Sequence, residues 1–378
     1  VAARCCARGT LAGAFAGLRP RPSPSSALGG RPPAPSGLRP GRQPASRAPA
    51  LRAADEDGAA VDVYGEVRYL PSLDFGVSEE LVPTEGALTL PCFPLGGTAY
   101  VPHTAQVLNI FEPRYRKMYS DILFSGGRRF VVPQVTQDEQ GGVKLAEVGV
   151  VFYLDDLQEV SEKTNDQVKY ICQHSVISRV RLRRVLNPRA FADRSTYLQV
   201  EVEELADADA GEDLSGAEED LMEQIIEVAS LTERSAADVR FNVEALGRQN
   251  VTRGAGFWNV VHIWQGYLMQ RAQQRQRQFE SEVREKIMTY LKQQKGDVPP
   301  QVNLGELPEE IQKEVVALQS EFQEEVEPMV RAQSAPVQVL VQTESHRERL
   351  ALLNVMVQEE KKRLEARAAL KSVFASKD

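Results

Sequence analysis

Fifty-four residues pass before this chain places its first acidic side chain. Residues 1–54 carry nine arginines, nine prolines, no lysine and no aspartate or glutamate, with Ala, Gly and Ser filling most of the rest. A stretch so poor in large apolar groups has too little to bury to offset the entropy of ordering. Whatever folds must therefore be built from residues 55–378.

An Arg-rich, Ser-bearing, acid-free leader has the composition of an organellar transit peptide. The switch to Asp55-Glu56-Asp57 just after Leu51-Arg52-Ala53-Ala54 reads as a processing point. A mitochondrial presequence forms an amphipathic helix, which repeated proline forbids. The expected destination is thus the chloroplast stroma, with the mitochondrion as the alternative and a permanently attached basic tail as the other reading. The missing initiator Met fits a start that is processed or incomplete. Without the leader the balance moves from 45 basic against 53 acidic side chains to 36 against 53, a net charge of −17. Such a charge opposes nucleic acid, whose affinity comes mainly from Lys and Arg on phosphates, unless a local basic face exists.

Residues 55–87 read as a linker and 88–205 as a β domain with one helix. Strands are expected over 128–135, 144–153, 167–173, 178–186 and 197–203, each alternating or β-branched and bounded by turn residues. Pro91 and Pro94 restrict the run from Leu88 to Phe93 to an edge or a bulge. Asn109 is the expected cap of a helix from Ile110 to about Leu123, stopped by Gly126-Gly127. An acidic linker over 206–219 leads to a helical part over 220–378. Helices are expected at 221–231, 236–246, 257–294, 307–330 and 336–374, with breaks at Gly247 and Gly254, at Gly296 through Pro300 and around Ser334 to Pro336. The last three would pack as an antiparallel bundle. The expected class is α+β, a small β-barrel or roll followed by this bundle. Leu350, Leu353, Val357 and Leu364 follow a heptad-like line, short enough to leave homo-oligomerisation open.

One stretch is specific enough to carry a resemblance. Pro94-Leu95, Pro102 and the run Leu108-Asn109-Ile110-Phe111-Glu112-Pro113-Arg114-Tyr115-Arg116-Lys117-Met118 resemble the start of the N-terminal, substrate-binding domain of the Lon protease family. Ala146-Glu147-Val148-Gly149 and the strand from Ser178 to Arg183 follow in that family's order. The resemblance implies a PUA-like β-barrel and a recognition module for polypeptide clients, acting beside a separate protease or chaperone. In the motif, Glu112 and Arg114 are expected to orient the helix, and Phe111 and Tyr115 to fill the mouth of the barrel.

Catalytic chemistry finds few candidates. A complete Lon protease needs a Gly-x-x-x-x-Gly-Lys-Ser/Thr phosphate loop and a Ser-Lys dyad, and the sequence holds no such loop. The glycine pairs 96/97, 126/127 and 141/142 lack the lysine and read as turns. Cys-x-x-Cys pairs are absent, so zinc-bearing ligase architectures are excluded, and no metal or cofactor is expected. Cys172 and His174 share one strand face as a buried pair without a third partner. Glu201, Glu203 and Glu204 read as surface groups. Arg179, Arg181 and Arg183 place three guanidiniums on one face at period two, either as a binding surface for RNA or acidic peptide or as a solvated exterior paired with glutamates. Exposed groups around Tyr100 and His103 are the other candidate surface, for peptide. No apolar run long enough to span a bilayer occurs. The expected activity is therefore non-catalytic client recognition, with an RNA-binding module, or a structural subunit docking through its C-terminal helices, as the alternatives.

Overall fold

Pro113 settles where the first helix begins. Proline fixes its own φ, lacks an N–H and disfavours a helical residue before it, so it suits a first helical position. In the computed structural model the chain accordingly stays extended through Ile110 and turns at Glu112 into α1, Pro113–Phe124. The expected helix start at Ile110 is thus three residues early, and the segment before it is a strand missing from the sequence reading: β2, Ala105–Ile110.

The structure describes residues 66–73, 80–137, 141–234, 240–241, 243–247, 250–293 and 307–375. The leader 1–54 and the break expected at Gly296–Pro300 lie outside them. So do residues 55–65 and 74–79 of the expected linker and 236–239 of one expected helix.

The other strands are β1 (Leu88–Cys92), β3 (Arg129–Val132), β4 (Val135–Gln137), β5 (Val143–Leu145), β6 (Val148–Glu159), β7 (Tyr170–Val185) and β8 (Leu198–Glu204), with a short helix α2 at Arg189–Asp193 before β8. The large sheet has the order β2-β7-β6-β3-β1-β8, and β8 also pairs with β7. This extra pairing curls the sheet back on itself and leaves β2 outside the curl, so the architecture is α+β without a clean barrel. The strands expected at 167–173 and 178–186 are one, because inward Cys172, His174, Val176, Val180 and Leu182 run on with no turn residue between them. Register shifts where β6 meets β7, at Val151/Phe152 and Leu154/Asp156, bend the long pair as bulges do. Of the edge or bulge that its prolines allowed, β1 is not at an edge: it lies between β3 and β8, with β3 in register only at Cys92, after Pro91. Gly149 lies where β6 crosses close to β3. A Cβ there would sit 3.0 Å from Val131 Cγ1 and 3.1 Å from the Val132 carbonyl oxygen.

The helical part comprises α3 (Ser215–Arg234), α4 (Val243–Leu246), α5 (Ala255–Gln293), α6 (Glu309–Gln342) and α7 (His346–Ala375). α6 continues through Pro328 and Pro336, and the chain turns only after Gln342. The break expected near Ser334 fails because packing outweighs the missing proline amide. Gln338 Nε2 donates to the Val148 carbonyl at 2.8 Å, Gln134 Nε2 donates to Ser334 Oγ at 3.2 Å, and Val337 and Leu340 are fully buried. α5 and α6 run antiparallel, stacking Phe279 on Phe322 and pairing Arg275 with Glu325. α7 turns back and runs alongside α3, joined by Lys361 to Glu227 near one end and His346 to Glu218 near the other. The line Leu350, Leu353, Val357 and Leu364 is buried within the chain.

One apolar cluster runs without interruption from Phe93, Phe130 and Phe152 in the strands to Trp264, Leu353 and Leu364 in the helices. The described residues accordingly form one compact unit.

Candidate functional site

The arginine row has the periodicity expected of it and different surroundings. Arg179 is 6% exposed. Its guanidinium donates to the carbonyls of Val341 and Thr343 at 2.9 and 2.6 Å and to Asp207 at 2.6 Å, and it lies over the ring of Trp258. Burial, together with nearby Arg349, lowers its pKa to about 10. Arg181 pairs with Glu344 and Arg183 with Glu203. A bulge between Leu182 and Arg184 then brings Arg184 onto Glu201, which is buried. Hydrogen bonds from Arg184 and the Thr84 amide lower the Glu201 pKa to about 2. The surface role expected of Glu201 is therefore wrong, and of the arginine row Arg179 and Arg181 join sheet to helices while Arg183 pairs within the sheet at the surface.

The segment 206–219, expected as an acidic linker, supplies the counter-charges. Asp207 takes Arg179 and Arg349. Asp209 accepts from the backbone amides of His346 and Arg347, from Ser345 Oγ, each at 2.9 Å, and from Arg253 at 2.8 Å. It thus satisfies donors at the start of α7 that have no partner within the helix. Burial raises the pKa of both aspartates, but these donors outweigh it and the net shift is downward.

Inside the sheet, Tyr119 Oη lies 2.7 Å from His174 Nε2, and His174 Nδ1 faces the Gln106 carbonyl at 3.3 Å. The rings of Phe130 and Phe152 close around the imidazole. Burial lowers the His174 pKa to about 4 and, with Asp156, raises that of the Cys172 thiol to about 12. A thiol so far from its thiolate, with no solvent access, is a packing group and not a nucleophile.

Tyr100 is half-buried with its ring edge-on to Phe152, and His103 is exposed at a φ of 60° just before β2. The His103 amide donates to the Val176 carbonyl at 2.7 Å. Of the motif residues, Tyr115 is buried against Phe93 and Glu112 pairs with Arg114 at 2.8 Å, whereas Phe111 is 48% exposed. Phe111 therefore fills no mouth.

It stands just past the end of β2, a strand whose partly apolar outward face the sequence reading missed. Gln106, Leu108 and Ile110 turn inward, and Ala105, Val107 and Asn109 turn to solvent, Val107 being 64% exposed. Ile177 on β7, 36% exposed, lies beyond Ala105. Strand alternation was the signal that could have found β2, but Asn109 beside a helix-forming run suggested a cap instead.

The sequence matches the family described as the ATP-dependent protease La (LON) substrate-binding domain over residues 89–359. Among curated proteins none matches. Solved structures with similarity include the N-terminal domain of a Lon protease from the Mycobacterium avium complex, at 13% identity and a TM-score of 0.29, the match covering 39% of this chain and 70% of that one. Another is a Lon N-terminal domain protein from Xanthomonas campestris, at 20% identity and a TM-score of 0.29, with 42% and 89% covered.

Proposed function

The chain belongs to the Lon substrate-binding-domain family, and from that premise we propose that it is a non-catalytic recognition module for unfolded polypeptide clients, delivering them to a separate protease or chaperone in the plastid. The observation that carries this reading is the solvent-facing side of β2, where Ala105 and Val107 are open on a strand that pairs with nothing beyond it among the described residues, with Ile177 on neighbouring β7 and Phe111 just past the strand's end also exposed. Scattered exposed apolar residues are ordinary, but apolar groups gathered along an open sheet edge suit an extended chain with alternating apolar side chains.

The RNA alternative rests on Arg179, Arg181 and Arg183. Each already has a carboxylate partner, so binding phosphate through Arg179 and Arg181 would require breaking the contact between sheet and helices, which leaves only Arg183, paired with Glu203 within the sheet. The structural-subunit alternative draws on the C-terminal helices, where Val316 on α6 is 56% and Leu370 on α7 60% exposed, but single exposed apolar residues on separate helices are ordinary for a protein surface.

Titration of the protein with a reduced, carboxymethylated polypeptide, with the same polypeptide in its native fold and with a labelled RNA, at low and high salt, tests the reading. Binding of the unfolded form alone, nearly independent of salt, is expected. Tight RNA binding that weakens steeply with salt would overturn it.

A further inference from the structure

We propose that clients are held by backbone pairing: an extended client segment adds to the sheet as a further strand along β2. This deepens the reading above and rests on it.

The direction of the β2 backbone carries the inference. The Val176 amide donates to the Thr104 carbonyl at 2.9 Å, and the Gln106 carbonyl faces His174 on β7. The register pairs Gln106 with His174, Leu108 with Cys172 and Ile110 with Tyr170. Even-numbered residues therefore spend their amides and carbonyls on β7. By the alternation of an antiparallel ladder, those of Ala105, Val107 and Asn109 point the other way. β2 ends the sheet on that side, so among the described residues no strand meets them.

Sheet edges that must stay single are normally guarded by a charged side chain, a proline or a bulge within the strand. Ala-Gln-Val-Leu-Asn-Ile contains no charge and no proline, and its pairing with β7 is regular throughout. The edge is thus flat, uncharged and about 20 Å long by the rise of an extended strand. Leu108, only partly buried on the core face, would be covered by an inward side chain of the added strand. Val107 would be flanked by an outward one.

The occupant that fits is a client segment of five or six residues without proline, apolar on at least one face. A second copy of this chain meeting β2 with β2 would share only this narrow strip, short of the roughly 1,000 Å² that a specific interface requires. An unfolded segment has no body to keep out of the way. Backbone pairing also tolerates many sequences, which suits a receptor of varied clients.

Val107→Pro offers a direct test, because it removes an outward N–H and leaves the ladder to β7 intact; proline is tolerated at such edge positions. In the chain of residues 1–378, this variant is expected to bind reduced, carboxymethylated α-lactalbumin at least about tenfold more weakly, a loss of roughly 1.4 kcal/mol. A second arm leaves the protein untouched: amide exchange at Ala105, Val107 and Asn109 should slow when the same polypeptide binds, whether or not the proline variant folds. If the wild type binds but neither exchange at these amides nor the affinity of the folded variant changes, strand addition is overturned while polypeptide recognition stands. If the wild type does not bind, both fail.

Discussion

Arg349 and Asp207, 142 residues apart in sequence, meet through two parallel hydrogen bonds of 2.8 and 2.5 Å. Asp207 follows the last strand and Arg349 lies in the first turn of the last helix, so the pair ties sheet to helices. The Arg349 side chain is 1% exposed and lies over the rings of Phe257 and Trp258.

Removing one partner of a buried ion pair strands the other. Asp207→Asn leaves both Arg349 and Arg179 without their carboxylate and is expected to cost about 3–5 kcal/mol, read as a fall in the denaturation midpoint with an unchanged denaturant slope. Replacing Asp207 and Arg349 together by apolar residues should cost less than Asp207→Asn alone. A double variant worse than the single would show that the pair is not the source of the effect.

Within the arginine row the expected order of effects follows burial and not charge. Arg179→Gln should lower the melting temperature as Asp207→Asn does, because it too breaks a buried pair. Arg183→Gln, whose pair with Glu203 is half exposed, should change stability by no more than about 1 kcal/mol. Equal effects on melting, or loss of RNA binding with no effect on stability, would return the row to a binding role.

His174 gives stability a dependence on pH in the mildly acidic range. Its folded pKa is lowered from 6.5 to about 4, so as pH falls below 6.5 the unfolded chain takes up the proton first. Stability should therefore decline from about pH 6.5 to pH 4 and then level for this group, by on the order of 3 kcal/mol. His174→Gln should reduce that decline when denaturation is compared at pH 7 and pH 5. Burial lowers the pKa of His262 and His346 as well, so part of the slope will remain. An unaltered slope in the variant would contradict a neutral, buried His174.

A reporter fused behind residues 1–60 should enter plastids and lose the leader near Ala54. A reporter that stays in the cytosol would reject the transit reading. The chain beginning at Asp55 should neither hydrolyse ATP nor cleave unfolded casein by itself; turnover that survives purification and disappears on mutation of this chain would refute a purely receptive role.

Much of the molecule was legible in the order of its residues. The acid-free leader, the change from β-branched alternation to helix formers near residue 205, the buried stripe of α5 and the motif from Ile110 to Tyr115 are all local, since composition and period act over a few residues. Phe257, Val260, Val261 and Trp264 recur at helical spacing and are all buried, because a stripe of that width has only one way to leave water.

Tertiary structure alone decided the rest. What makes β2 a strand is its pairing with β7, sixty to seventy residues away. α6 continues through Pro336 because contacts to β6 hold it, which no helix propensity records. Asp207 and Asp209 resemble the acidic residues around them until Arg179, Arg349 and the start of α7 fold onto them. Burial sets the energy of a charge and of an unpaired amide, and burial is a property of the assembled chain. For that reason Arg179, which read as a surface group, became an internal contact while Arg183 stayed exposed, and the open backbone edge of β2 is visible only once the sheet is complete.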